Sequence, residues 1–262
     1  MNGAPRRFDP ELFQARRDAL GTRFGDPLSA VVVTGSTNDD AFAAAKDGAA
    51  HGAVFVADEQ TRGRGRRGHT WTSPPGENLT FSLLLRPRLA ADQVSLLTLV
   101  VGLAVRSVCA RLTGAALSVK WPNDVVVARR KLAGILVESR LSGRSVDAVV
   151  VGVGVNVHMR ALPPEIGEIA TSLVLLGARS PSRETLLAEL LAELEARLGR
   201  FESEGLAPFL EELRDHDALR GERLRVGDAA GVGAGIDETG ALLVETEGGR
   251  VEAVSSGTVE RL

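Results

Sequence analysis

The sequence predicts an α+β protein with a small all-β module at its C-terminal end. Three features carry that reading. β-branched runs such as VVVTG, AVFVA and AVVVGVGV supply strands. Helical segments lie among and after them, clearest at 183–201, where Leu186, Leu187, Leu190, Leu191, Leu194 and Leu198 recur at three- and four-residue spacing. From Gly221 the texture changes to short alternating strands separated by the turn signals DETG and EGGR. A tail of about 45 residues is marginal alone and has to pack on the rest. The expected division is an N-terminal extension (1–30), a main domain (31–218) and a β-rich tail (219–262).

The elements follow in order. The first 30 residues are polar, with a short helical pattern at 10–20 and turn residues at 25–27. VVVTGSTNDD reads as a strand running into a helix start, because Ser36 and Thr37 each have an Asp three residues later, the capping-box arrangement. A second strand, AVFVADEQ, leads to the Arg/Gly loop TRGRGRRGHTW and then to the strand NLTFSLLLRP. Residues 96–112 read as a buried helix, VVVA as a strand, KLAGILVES as helix or strand, and AVVVGVGVNV as a buried strand. Ser182 stands where it can cap the 183–201 helix, and a further helix covers about 206–215.

Composition excludes several classes. With 44% hydrophobic and 25% charged residues the chain is neither disordered nor fibrous. A formal net charge of −3 argues against a general binder of nucleic acid or membrane surfaces. Of 31 cationic residues 28 are Arg, and the lysines are Lys46, Lys120 and Lys131. The single Cys109 permits no internal disulfide, which fits a reducing compartment. His51, His69, His158 and His216 are scattered without zinc-ligand spacing. The apolar stretch 94–105 is too short to span a bilayer, and the N-terminus lacks the apolar core of a signal peptide. A cytoplasmic protein is expected.

Four segments carry chemistry. GRGRRG (63–68) matches G-x-G-x-x-G, yet a dinucleotide fingerprint needs a helix after the turn, and here HTWTSPPGE follows, with two prolines and a glycine. Glycines that let the backbone wrap a ligand, with Arg64, Arg66 and Arg67 as bidentate cations and Trp71 as a stacking face, suit a carboxylate or phosphate beside a nucleobase. A solvated basic loop with Trp71 plugging the core remains the alternative. KWPND (120–124) and KLAG (131–134) place two of the rare lysines near a stiff turn that presents Asn123 and Asp124. Two plain surface lysines are the competing reading. GVGVNV (152–157) has glycines where a ligand or backbone approaches closely, or else is a strand edge with a capped turn. Ser36, Thr37 and Asn38 are either a plain helix cap or a polar ligand site.

Taken in order, GSTN, DEQTRGRGRRGHTW, KWPND, RKLAGILVE, GVGVN and ATSL resemble the biotin protein ligases, the biotin–[acetyl-CoA-carboxylase] ligases, from about Val31 to Leu262. The resemblance implies a class II synthetase-like catalytic domain, a mixed sheet with packed helices, and a C-terminal SH3-like barrel. It implies that Ser36, Thr37, Asn38 and Gln60 bind the biotin ureido ring, and that Arg64, Gly65 and Arg66 lie along biotin and the acyl-phosphate, with Gly134 lining the same site. Arg66, Arg67, Trp71, Lys120, Asn123, Lys131 and Asn156 would serve ATP and the adenylate, with Trp71 packed on adenine and Lys131 between carboxylate and α-phosphate. Arg66, Lys131 and Asp124 are the implied catalytic residues, Asp124 facing the acceptor lysine, and Mg²⁺ is expected near Asn123.

The implied substrates are biotin, ATP and a biotin carboxyl carrier domain, in a monomer or weak homodimer that binds neither nucleic acid nor membrane. About 30 residues precede GSTN, too few for a DNA-reading domain, so a ligase without repressor function is expected. No Ser-His-Asp or Cys-His set is visible, consistent with chemistry in which the substrates supply the nucleophiles. A lipoate–protein ligase and a non-catalytic biotin sensor are the rival readings.

Overall fold

Strand pairing decides the architecture. The computed structural model describes residues 7–72, 74–142, 145–162, 166–179 and 182–262, so residues 1–6 of the expected extension and Ser73 after the Arg/Gly loop lie outside the described residues. Seven strands form the main sheet: β1 (Leu28–Thr34), β2 (Val54–Gln60), β3 (Asn78–Leu85), β4 (Ser118–Lys120), β5 (Asp124–Val127), β6 (Arg130–Ser142) and β7 (Ser145–Asn156). Their order is β1-β2-β3-β7-β6-β5-β4, with β1 and β2 parallel and the other neighbours antiparallel. The expected mixed sheet is therefore present. KLAGILVES resolves as strand because β6 has partners on both sides, β5 and β7, which its ambiguous local pattern could not reveal.

The helices fall close to their expected places. In α1 (Pro10–Leu20), Asp9 accepts from the amides of Glu11 and Leu12 at 3.0 and 3.1 Å, Pro10 opens the first turn, and Gly21 at φ 68° ends it. In α2 (Thr37–Lys46) the capping-box expectation fails: Ser36 makes no side-chain cap bond. The hydroxyl of Thr37 is committed to Gln60 and Ser82 instead. A 3-10 stretch (Ala91–Leu96) leads directly into α3 (Leu97–Thr113), so 91–113 is one 23-residue helical run, long and apolar enough by length and composition to cross a membrane. That corrects the reading of 94–105 as too short. Its apolarity has another cause here, since Leu97, Val100, Val101, Leu103, Ala104 and Val108 are all buried in the core.

Helix α4 (Arg183–Glu204), capped by Ser182 on the Thr185 amide at 3.2 Å, buries the expected leucines against α1 and α3. A short α5 (Leu210–Asp215) follows. The tail forms a five-stranded antiparallel sheet, β8 (Arg223–Val226), β9 (Ala229–Ile236), β10 (Leu242–Thr246), β11 (Val251–Val254) and β12 (Val259–Arg261), in the order β11-β10-β9-β8-β12. This arrangement is consistent with an SH3-like fold. Leu219, Leu224, Val226, Leu242 and Val244 belong to the same buried cluster as α3 and α4, and Trp121 Nε1 donates to Gly240 O at 3.0 Å. The tail thus shares the core.

Residues 8–24 are also part of that core. Phe8 and Phe13 are buried, the Phe8 amide donates to Asp58 Oδ1 at 3.0 Å, and Glu184 accepts from the Asp9 amide at 3.0 Å. Beneath them Arg183 and Asp58 form a buried ion pair at 2.8 Å. Removing one partner of such a pair strands the other charge away from water. Arg183→Ala is accordingly expected to lower unfolding stability by about 3–5 kcal/mol. Urea denaturation measures this, and a loss below about 1 kcal/mol would contradict the role given to the pair.

Candidate active site

The site rests on two rows of residues across the main sheet. One row runs Thr80–Gly154–Gly134–Asp124 over β3, β7, β6 and β5; the next runs Ser82–Gly152–Leu136. Positions two apart share a face, so both rows open to the same side. Glycine at the middle positions leaves the backbone bare. A Cβ on Gly154 would sit 2.3 Å from Trp71 Cε2, and one on Gly152 would sit 2.3 Å from Asn38 Oδ1. A Cβ on Gly134 would come within 2.9 Å of the Lys131 side chain. The close-approach reading of GVGVNV holds at Gly152 and Gly154, and what approaches is the protein's own Trp71 and Asn38.

Over this floor lies a cavity of about 270 Å³. Of the residues expected from the sequence, Ser36, Thr37, Asn38, Gln60, Arg64, Gly65, Arg66, Arg67, Trp71, Lys120, Asn123, Asp124, Lys131 and Gly134 all line it. Asn156 does not. Its Nδ2 donates to Thr171 O at 2.9 Å, and its own carbonyl accepts from the Leu173 amide, tying the ATSL segment to the end of β7. The same segment pairs with Lys131, whose amide donates to Ile169 O at 2.7 Å while Thr171 N donates to Lys131 O at 2.9 Å. Asn156 thus lies behind the wall, bonded to the backbone segment that pairs with Lys131.

One end of the cavity is lined by the uncharged hydrogen-bonding side chains of Thr37, Asn38 and Gln60, backed by the Glu138 carboxylate. Gln60 Oε1 accepts from the Thr37 amide at 2.8 Å and from the Thr37 hydroxyl at 3.1 Å. Ser82 Oγ lies 2.8 Å from Thr37 Oγ1 and 2.5 Å from Asn38 Oδ1, and Asn38 Nδ2 donates to Glu138 Oε2 at 2.6 Å. Ser36, Thr37 and Asn38 are buried at the N-terminus of α2, and the side chains of Thr37 and Asn38 are held by protein partners.

The other end is cationic. Lys131 Nζ meets Asp124 Oδ1 at 2.7 Å, an ion pair without hydrogen-bond alignment, and lies 5.7 Å from the Trp71 ring centroid. Among the described residues Arg66, Arg67 and Lys120 make no ion pair. Burial, then the neighbouring Arg67, pull Arg66 below its ordinary value while Asp124 opposes them. Burial likewise lowers Lys120, opposed by Asp124 and reinforced by Arg261 and Lys131. A half-buried cationic cluster facing one carboxylate is arranged to receive negative charge. The described residues include no group of three or more His, Cys, Asp or Glu able to hold a metal ion, and Asn123 spends its Nδ2 on Ile135 O at 3.0 Å.

The Arg/Gly loop bridges the cavity as a narrow strap. Gly65 N donates to His69 O at 2.7 Å, Trp71 N to Gly63 O at 3.0 Å, and a Cβ on Gly63 would sit 2.5 Å from Trp71 O. Arg67 Nη1 donates to Thr258 Oγ1 at 2.9 Å, and Gly257, Thr258 and Val259 of the tail complete the wall. Sequence reasoning missed these tail residues, along with Thr80, Ser82 and Glu138. The signal for two of them was present: Asn78, Thr80 and Ser82 alternate with Leu79, Phe81 and Leu83, a strand with one polar face. Nothing local marks Thr258, which reaches the site only through tail packing.

The fold and cavity are those of a protein-ligase family: residues 32–156 match the model of the biotin/lipoate A/B protein ligase family. The chain belongs to that family. Residues 223–262 further match the biotin protein ligase C terminal domain. Among curated relatives, the biotin–[acetyl-CoA-carboxylase] ligase of Mycobacterium tuberculosis is 37% identical over 90% of this chain and 89% of its own length. The bifunctional ligase/repressor BirA of Escherichia coli is 38% identical over 91% of this chain and 75% of its own. A biotin protein ligase from Aquifex aeolicus, solved in complex with biotin and ATP, superposes with a TM-score of 0.79 at 31% identity, covering 90% of this chain and 99% of that one.

Two outcomes follow from the geometry. Gly154→Ala is expected to push the indole of Trp71 off the sheet; in a Trp121→Phe background this appears as a change in tryptophan emission, and an unchanged spectrum would refute the contact. Because burial disfavours the charged Lys120, Lys120→Met should raise the melting temperature of the ligand-free protein at pH 7. The gain should shrink as alkaline pH discharges Lys120 through its lowered folded-state pKa, whereas a lower melting temperature at pH 7 would contradict the sign.

Proposed function

We propose that this chain activates biotin as biotinyl-5′-AMP at the expense of ATP and then transfers biotin to a lysine of a biotin carboxyl carrier domain. The observation that carries the reading is the division of one cavity into a neutral polar end (Thr37, Asn38, Gln60) and a cationic end (Arg66, Lys120, Lys131), with Trp71 between them. A ureido ring offers one carbonyl and two N–H groups, which suit the polar end. A carboxylate and a nucleotide phosphate suit the cationic end.

In the first step the biotin carboxylate oxygen attacks the α-phosphorus of ATP and pyrophosphate leaves. Arg66 and Lys131 stand where negative charge develops, and stabilising it requires no reorganisation of the site. In the second step the acceptor ε-amine attacks the acyl carbon, AMP departs, and the amine gives up a proton. Asp124 is held by Lys131 at 2.7 Å. Once the adenylate phosphate engages Lys131, Asp124 becomes free to orient that amine or take its proton. Mg²⁺ fits this site as part of the metal–triphosphate substrate, since a magnesium ion with only one or two protein carboxylates relies on substrate phosphates. Asp124 is the carboxylate available on the wall, beside Asn123.

The decisive measurement mixes protein, ATP, Mg²⁺, biotin and an apo carrier domain, then weighs the carrier. A mass gain of one biotinyl group on one lysine is expected; transfer of lipoate but not biotin would replace this reading with that of a lipoate ligase. Lys131→Ala should slow adenylate formation about tenfold or more, and a near-normal rate would remove Lys131 from the chemistry. Trp71→Ala should raise KM for ATP well above any change for biotin, with equal effects excluding adenine stacking on Trp71.

A further inference from the structure

Arg64 lines the cavity, but its guanidinium is engaged outside it. Nη1 and Nη2 meet the two carboxylate oxygens of Asp39, in the first turn of α2, at 2.8 and 2.7 Å. Nη2 also lies 3.7 Å from Glu138 Oε2. The same Glu138 oxygen accepts from Asn38 Nδ2 at 2.6 Å, and Asn38 in turn accepts from Ser82. One contiguous set of contacts therefore links the strap to the polar floor: Asp39–Arg64–Glu138–Asn38–Ser82. Neither Asp39 nor Glu138 lines the cavity. At its far end the strap is tied by Arg67 to Thr258. Between these ties stand Gly65 and Arg66, and the glycine by itself resists opening very little.

We infer that Asp39 and Glu138 are positioning residues, a clasp that holds the Arg64 arm of the strap down over the polar end of the cavity and keeps a reactive adenylate inside. The retention part rests on the function proposed above; the mechanical part does not. Fork-to-fork geometry supports the clasp, because two parallel N–H···O bonds fix orientation as well as distance. Mutual stabilisation points the same way: Arg64 holds the Asp39 carboxyl below its ordinary range, and Asp39 raises Arg64. Exposure limits the strength. Arg64 and Asp39 side chains are 42% and 48% accessible, so the pair belongs among solvent-facing bridges worth at most about 1 kcal/mol, which is about fivefold in an opening equilibrium.

The strap contains its own reporter, since Arg62, Arg64, Arg66 and Arg67 are trypsin sites. Native-state trypsinolysis, read by mass spectrometry at those bonds, measures strap opening without any substrate. Asp39→Asn keeps every arginine and is expected to raise cleavage there about fivefold. Asp40→Asn is the control: it removes the neighbouring first-turn charge of α2 but no partner of Arg64, so an effect acting only through the helix dipole would appear equally in both. Salt at 0.5 M should speed strap cleavage in the wild type and not in Asp39→Asn.

Glu138→Gln retains an oxygen to accept from Asn38 and loses the charge facing Arg64, so it should also cleave faster. With biotin and ATP present, Asp39→Asn should release more adenylate, seen as biotin on lysines of a bystander protein, with transfer from prebound adenylate to carrier unchanged. Strap cleavage in Asp39→Asn within twofold of Asp40→Asn would overturn the clasp. A wild type that biotinylates no carrier would instead sink the proposed function and leave the proteolysis result to decide the clasp.

Discussion

The site depends on bare backbone at the centre of the sheet. Gly152 and Gly154 on β7 and Gly134 on β6 lie in adjacent rows, and the two on β7 are each met by a side chain at a distance no Cβ would permit. Asn38 descends onto Gly152 and the Trp71 indole onto Gly154. The helix start at Thr37 and the strap end at Trp71 are therefore seated on the same two strands. A methyl group at either row would lift one of them and change the depth of the cavity. Strand glycines usually weaken a sheet through lost packing and greater entropy on folding. Here β7 keeps its ladders with β3 and β6, and its valines at 149, 151, 153 and 155 are buried on the opposite face.

Charge is distributed around that floor with the same economy. Arg64 is neutralised by Asp39, while Arg66, Arg67 and Lys120 are left without ion pairs among the described residues. Two of the chain's three lysines line the cavity; the third, Lys46, lies in the last turn of α2. Burial disfavours the charge on Arg66 and Lys120. An anion at the cationic end would relieve that unfavourable arrangement. The tail contributes as well, since Thr258 receives Arg67 and closes the wall.

Legibility differed from one part of the chain to another for physical reasons. Helix α1 and the leucine-spaced α4 were readable because caps, Pro10, Gly21 and periodicity are local signals. KWPND, KLAG and the Arg/Gly loop were readable because rare residue types cluster there, and all three line the cavity. The capping box was misread because Thr37 found a better partner in Gln60, 23 residues away. KLAGILVES stayed ambiguous because its strand state comes from neighbours on both sides. The length of the apolar run was underestimated because the 3-10 stretch before α3 continues the helix without a break. Asn156 sat beside the right glycines, but its amide is consumed by the Thr171 carbonyl.

Composition, periodicity and motif spacing were enough to determine an α+β chain with a β-rich tail, its principal helices, and the short segments that carry charge and glycine. These are properties of neighbouring residues, and neighbouring residues are written side by side. Tertiary structure alone decided which of those segments meet. The β3–β7–β6–β5 register brings Thr80, Gly154, Gly134 and Asp124 into one row, Asn38 reaches Glu138 across 100 residues, and Arg67 reaches Thr258 across 191. A one-residue slip in that register would turn every cavity-facing side chain to the opposite side of the sheet. Register is set by packing of the whole domain, so the site exists only once the core has formed.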